Sequence, residues 1–127
     1  MSINKYVTKT KQRIIQYDDE TKESGIIYYP NGKMYSGGIE DGLCSGYGLL
    51  YFENKLIYQG QWKYNRMNGQ GVYYFNNGDT YEGQIEDEYA HGKGILTILG
   101  SRFDMNYNRY GSFPVKLVHT SCYGLRL

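Results

Sequence analysis

Apolar and polar residues alternate with a period of two through most of this chain, and the alternation restarts at a fixed interval. Tyr35-Ser36-Gly37-Gly38-Ile39 recurs as Tyr58-Gln59-Gly60-Gln61-Trp62 and as Tyr81-Glu82-Gly83-Gln84-Ile85, each step being 23 residues. The pairs Gly46/Gly48, Gly69/Gly71 and Gly92/Gly94 keep the same step, as do Tyr28-Tyr29, Tyr51-Phe52 and Tyr74-Phe75. A period of two argues for strands, with alternate side chains on opposite faces. Tyr58, Gly60 and Trp62 then share one face, and Gln59 and Gln61 the other. On the next strand Gly69, Gly71, Tyr73 and Phe75 share a face, with Gln70, Val72 and Tyr74 opposite. Asn31-Gly32 and Asn77-Gly78 are hairpin signals, both residues being able to take the positive φ of a tight turn. Each unit therefore reads as two strands and two turns. Units in series predict an all-β, single-layer antiparallel meander of stacked β-hairpin repeats with a 23-residue period, in seven to nine strands.

Three regions follow: a polar basic N-terminal arm (1–24), a half unit plus three full units (25–100), and a degenerate repeat or C-terminal cap (101–127). Within the arm, Ile14-Ile15-Gln16-Tyr17 predicts one edge strand. Pro114-Val115-Lys116-Leu117-Val118 predicts another in the cap. Regular mid-strand glycine weakens a strand unless something must approach its backbone. The expected neighbour is a large aromatic from the adjoining strand or unit, lying over the bare backbone.

The residues Tyr35, Gly37, Gly46, Gly48, Tyr58, Gly60, Trp62, Gly69, Gly71, Tyr81, Gly83, Gly92 and Gly94 form a pattern of Y-x-G-x-W followed by G-x-G. That pattern resembles the MORN repeat (membrane occupation and recognition nexus), most clearly over Tyr35–Leu99. A half unit at Gly25–Met34 precedes this stretch, and a degenerate unit begins near Phe103. The sequence departs from the pattern where Ile39 and Ile85 replace the Trp, where Lys55 replaces a turn Gly, and where Asn106 and Val115 replace later glycines. The resemblance implies fold strongly and function loosely, since the family includes ciliary and cytoskeletal scaffolds, junctional proteins and accessory segments of lipid kinases.

Composition sharpens the picture. With 17 Gly, 16 Tyr and 2 Pro in 127 residues, Tyr takes much of the role that aliphatic residues play in other cores. The net charge of +1 is unevenly spread: residues 1–17 carry +4, residues 101–127 carry +3, and the middle carries −6. Basic ends on an acidic centre either clamp an acidic partner, fold back, or stay solvated. Two cysteines, Cys44 and Cys122, are too few for a disulfide scaffold. The longest aliphatic-rich run, Ile95-Leu96-Thr97-Ile98-Leu99, is too short to be a transmembrane helix. Met1-Ser2-Ile3-Asn4-Lys5-Tyr6 has no apolar secretory core. The chain is expected inside the cell, in the cytoplasm or on a cytoskeletal or ciliary structure.

No residue set nominates catalysis or a cofactor. His91 is equivalent to Asn68 and Ser45, and Cys44 to Met67 and Ala90, so both read as turn and packing positions. His119 and Cys122, with Asp104 or His91, fall short of the spacing of a zinc site. The turns Ile39-Glu40-Asp41-Gly42 and Ile85-Glu86-Asp87-Glu88 lack the ligand density of a calcium loop and read as solvated hairpin turns. The G-x-G pairs precede no helix, which excludes a phosphate loop. The basic arm with Tyr6 and Tyr17 would suit phosphates, but the acidic repeat body disfavours nucleic acid.

What remains is binding. With Gly48, Leu50 and Phe52 on the packed side, alternation puts Leu49, Tyr51, Val72 and Tyr74 on the opposite face, joined by Tyr28 and Ile95. Polar rows from the other strands, Gln59-Gln61 and Glu82-Gln84, are expected to flank this stripe. An apolar, Tyr-rich surface with a polar rim has the composition of a protein-binding patch, unless the arm or the C-terminal strand covers it. The expected function is a non-enzymatic scaffold or adaptor joining other proteins of a larger assembly. The rival readings are an adaptor holding acidic phospholipid weakly through its basic ends, and a regulatory subunit of an enzyme.

Overall fold

In the computed structural model, which describes residues 5–117, the chain forms one sheet. Its strands are β1 (Val7–Lys9), β2 (Ile14–Tyr17), β3 (Ser24–Tyr28), β4 (Lys33–Glu40), β5 (Leu43–Phe52), β6 (Lys55–Lys63), β7 (Arg66–Tyr74), β8 (Thr80–Glu86), β9 (Tyr89–Ile98) and β10 (Ser101–Tyr107). They lie in sequence order, each antiparallel to the next, so the predicted meander is what forms. There are ten strands instead of seven to nine. Ile14–Tyr17 is not an edge, because Val7–Lys9 pairs outside it. The hydroxyl of Thr10 accepts the backbone N–H groups of Gln12 and Arg13 and closes that first hairpin. The predicted C-terminal strand reduces to one bridge, Tyr89 to Lys116. Val118 lies outside the described residues.

One arrangement recurs in each unit and builds the packed face. Directly opposed glycines, Gly37–Gly48, Gly60–Gly71 and Gly83–Gly94, leave two bare backbones side by side. The rings of Tyr35, Tyr58 and Tyr81 lie in these slots, so that a Cβ at Gly48, Gly71 or Gly94 would overlap them. Each ring ends on its own strand: the hydroxyls donate to the carbonyls of Gly38 (2.7 Å), Gln61 (2.9 Å) and Gln84 (2.7 Å). Those three residues sit at the β-bulges, where the register shifts between Gly37 and Ile39, Gly60 and Trp62, and Gly83 and Ile85. At each, one residue faces three of the next strand, so the extra residues lie on β5, β7 and β9, and the phenol bonds the carbonyl of the single residue they face.

Bulges also bend and twist the strand. Three of them at one repeat position curl the sheet in one sense, which is how a single layer buries Tyr35, Leu50, Tyr58 and Met67 completely. Trp62, 3% exposed, stands edge-on between Tyr35 and Tyr58, with centroid distances of 5.3 and 5.2 Å. Its indole N–H donates to the Gly48 carbonyl at 3.2 Å. Ile39 and Ile85 fill the equivalent places. In β10 the pattern fails: no bulge occurs, and Tyr107, opposite Gly92, packs edge-on against Tyr81 at 5.6 Å.

The turns differ from expectation. Asn31 and Asn77 do not take positive φ; only Gly32 (φ 90°) and Gly78 (φ 93°) do, within longer turns. Each Asn instead accepts a backbone N–H two residues on, from Lys33 and Asp79, an Asx turn. The two-residue loops with both residues at positive φ, type I′ geometry, fall at Asp41-Gly42, Glu53-Asn54, Tyr64-Asn65, Asp87-Glu88 and Leu99-Gly100. Of these acidic turns, the one after β8 is not wholly solvated. Glu88 is buried, its N–H bonded to the Met67 carbonyl, as the N–H of Asn65 bonds to that of Cys44.

Packing of this kind is expected to be intolerant at both ends of the ring contact. Gly71→Ala should cost about 1–3 kcal/mol through overlap with Tyr58, and Trp62→Ala about 3–5 kcal/mol. Urea midpoints check both. A wild-type midpoint in Gly71→Ala would show that the ring can leave its slot freely.

Burial raises the pKa of the Tyr58 and Tyr73 phenols, and that of Tyr81 to about 12, with the neighbouring Tyr107 adding to the last. In the unfolded chain these groups lose their protons near pH 10. Between pH 10 and 12 the unfolded state therefore binds fewer protons, and stability that is complete below 10 falls as pH rises. Tyr81 contributes at most about 1.4 kcal/mol per pH unit in that window, and less where solvent screens it. The urea midpoint is expected to drop between pH 8 and 11, and to drop less in Tyr81→Phe. Equal drops in the two proteins would remove Tyr81 from this account.

Candidate functional site

The second face of the sheet is defined by the ladder. Across it run, in order from β3 to β10, Ile26, Ser36, Leu49, Gln59, Val72, Glu82, Ile95 and Asp104, each opposite the next. Odd-numbered strands supply apolar residues and even-numbered strands polar ones. A neighbouring row begins with Tyr28, Met34 and Tyr51, and Tyr74, Thr80 and Thr97 line up across the later strands. The polar residues thus interleave with the apolar ones instead of flanking a continuous stripe. The cause is the repeat itself, whose two strands per unit carry different chemistry on this face.

All six candidate partner-binding residues lie on this face. Leu49, Tyr51, Val72, Tyr74 and Ile95 are half-buried, and Tyr28 is 40% exposed. The amide of Gln59 donates to the Tyr74 hydroxyl at 3.0 Å and fixes that ring. Gln61 and Gln84 accept the backbone N–H groups of Gln70 (2.8 Å) and Lys93 (2.9 Å), lying over Gly69 and Gly92. The G-x-G pair therefore has one glycine under a glutamine on this face and one under a tyrosine on the packed face. Towards the C-terminal end an open groove of about 660 Å³ is lined by Gln70, Glu82, Gln84, Lys93, Ile95 and Asp104 among others.

Neither chain end that might have covered this face does so among the described residues. The arm joins the sheet edge as β1 and β2. The tail returns to β9 in the plane of the sheet, with Ala90 N–H on the Val115 carbonyl and Leu117 N–H on that of Glu88. Among the described residues, β1 and β10 are the two extremes of the sheet. Part of the C-terminal charge folds back: the Arg109 guanidinium meets Asp87 at 3.3 Å and the Glu86 carbonyl at 3.2 Å, and stacks on Tyr89.

That fold-back makes a polar cluster which the sequence reading did not nominate. His91 lies 3.4 Å from Glu86 and accepts the Arg109 backbone N–H through Nδ1. Tyr110 donates to Glu86 at 2.7 Å, a bond that raises its phenolic pKa. A signal was present: Glu40, Lys63, Glu86 and Arg109 occupy one repeat position with alternating charge. The cluster ties the tail to the β8–β9 turn. Among the described residues no three His, Cys, Asp or Glu side chains converge as metal ligands would. His119 and Cys122 lie outside the described residues. Cys44 is buried with its thiol 3.7 Å from the Tyr29 hydroxyl.

No described helix is long and apolar enough to cross a membrane. No curated protein matches the chain. The family model of the MORN repeat matches residues 35–56, 58–80 and 81–98. The matched units begin at Tyr35, Tyr58 and Tyr81, the three residues whose rings fill the glycine slots. MORN repeats are non-catalytic modules that mediate protein or membrane interactions. Ring, glycine pair and bulge repeat in register through the matched segment, and the chain belongs to the MORN repeat family.

Proposed function

We propose that this protein is a non-enzymatic scaffold or adaptor that binds other proteins on the second face of its sheet. The observation carrying this reading is that face itself: half-exposed Leu49, Tyr51, Val72, Tyr74 and Ile95, pre-positioned by the ladder, with no described segment laid across them. Rigid aromatics with polar neighbours favour protein contact, because they bury area at little entropic cost. The interleaving of Gln59 and Glu82 between apolar residues suits a partner that alternates in the same way. We place the protein inside the cell, in a cytoskeletal or ciliary assembly, a setting that suits a chain made mostly of repeats.

The double variant Tyr51→Ala with Tyr74→Ala tests the reading. Partner proteins recovered with the wild type by affinity purification are expected to be lost. The melting temperature should move by no more than about 2 °C, as for surface changes within about 0.5 kcal/mol. Unchanged partners in the folded double variant would remove this face from consideration. Sedimentation with vesicles containing acidic phospholipid tests the membrane alternative, for which exposed Lys9 and Lys11 are two of the available charges. Loss of vesicle binding on reversing those two charges, with partners unaffected by the Tyr changes, would replace the protein-binding reading with the lipid one.

A further inference from the structure

The two edges of the sheet are unequal. β1 is three residues long, with Lys9 on it, a short charged edge that discourages further pairing. β10 is seven residues long, with β9 on one side and no described strand on the other. Along β10, Phe103 is 48% exposed, and Leu99 in the preceding turn is 92% exposed. A long edge with exposed apolar residues is a template for another strand.

The repeat specifies what that strand must offer. Phe103 lies opposite Leu96, as Tyr58 lies opposite Leu50 and Tyr81 opposite Tyr73. It therefore occupies the position of the slot-filling tyrosines. Tyr35, opposite Leu50, covers Gly48, the residue two before its opposite number on the following strand. Tyr58 and Tyr81 treat Gly71 and Gly94 in the same way. Phe103 needs an antiparallel strand with a small residue at that place.

We propose that the strand is the β10 of a second copy of this chain, paired antiparallel with Phe103 opposite Phe103. A two-fold axis normal to the sheet keeps the packed faces of both copies on one side and sets a residue of β10 opposite itself. Centred on Arg102 or on Asp104, the pairing opposes like charges, which destabilises a cross-strand pair. Centred on Met105, it puts Met105 where the small residue is needed. Centred on Phe103, it places Arg102 of each copy opposite Asp104 of the other, two unlike pairs on the second face. It also places Ser101, a small residue, where each Phe103 ring requires one, and sets exposed Leu99 opposite Tyr107. Charge and size select the same register independently. The tail leaves this edge open as far as it is described, since it turns back onto β9.

The test is the mass of the full chain in solution, by sedimentation equilibrium across the micromolar range. The wild type is expected to be a dimer of the 14.7 kDa chain. Asp104→Arg or Arg102→Asp alone opposes like charges at both pairs and should weaken association roughly tenfold to hundredfold. The combined Arg102→Asp and Asp104→Arg variant restores both pairs in reverse and should recover the dimer. Both side chains are exposed, so all three variants should fold as the wild type does, with the same β-sheet circular dichroism. A monomeric wild type overturns the proposal, and so does a dimer indifferent to single reversal or a double variant that stays monomeric. A wild type that dimerises only after residues 118–127 are removed would assign the edge to the chain's own C-terminal end, also overturning it.

Discussion

A tyrosine ring lying across two opposed glycines, with its hydroxyl on the carbonyl of a bulge, is the contact from which the rest of this structure follows. A single sheet has no second layer to bury its apolar face, so it must curl over itself. The bulges of β5, β7 and β9 opposite Gly38, Gln61 and Gln84 supply the bend. The irregular pairing opposite each bulge leaves a part-buried carbonyl to the phenol, and such a carbonyl without a partner would cost free energy. The phenol satisfies it while its ring fills the slot that the glycines open. The three parts require one another: a larger residue closes the slot, and a ring without the hydroxyl leaves the bulge without its partner.

This coupling explains why the array holds together with little aliphatic core. Trp62 lies edge-on to tyrosines of two successive units, so adjoining repeats share a packed aromatic ladder instead of each owning a core. Stability of this form is a sum over neighbours, and the end units must find substitutes. At the C-terminal end Tyr107 takes the place of the next Trp or Ile, reached with no bulge in β10. The tail is then secured by charge and stacking, through Arg109, Tyr110, Glu86 and Asp87, where the repeat can no longer offer an aromatic slot.

The face opposite inherits its character from the same geometry. Because the rings and glycines take alternate positions on the packed side, the intervening positions are free to vary. They carry Leu49, Val72 and Ile95 on one strand of each unit and Ser36, Gln59 and Glu82 on the other. Gln61 and Gln84 serve both purposes, bonding the backbone across Gly69 and Gly92 while presenting polar surface. A module built this way has one side of fixed geometry for stacking and another free to vary for contact.

The sequence by itself determined the strands of the repeats, their order, the period of 23 residues and the identity of the two faces, but not β1 or the full count of ten. Alternation and repeat spacing are local properties, and a residue slipped by one would have moved whole faces. It also indicated that an aromatic must cover the glycines, since regular glycine in a strand has few other uses. Only the tertiary structure decided which strands lie side by side at each residue. The register interleaved polar and apolar residues on the second face, which spacing within one strand cannot show. Turn type was likewise decided by the paired strands: Tyr64-Asn65 and Asp87-Glu88 accept positive φ because the ladders on either side leave room for only two residues. Asn31 and Asn77, the better turn formers locally, sit in longer loops and use their side chains instead. The tail's position belongs to the same class, for Arg109 reaches Asp87 across 22 residues of chain, and only a folded sheet brings them together.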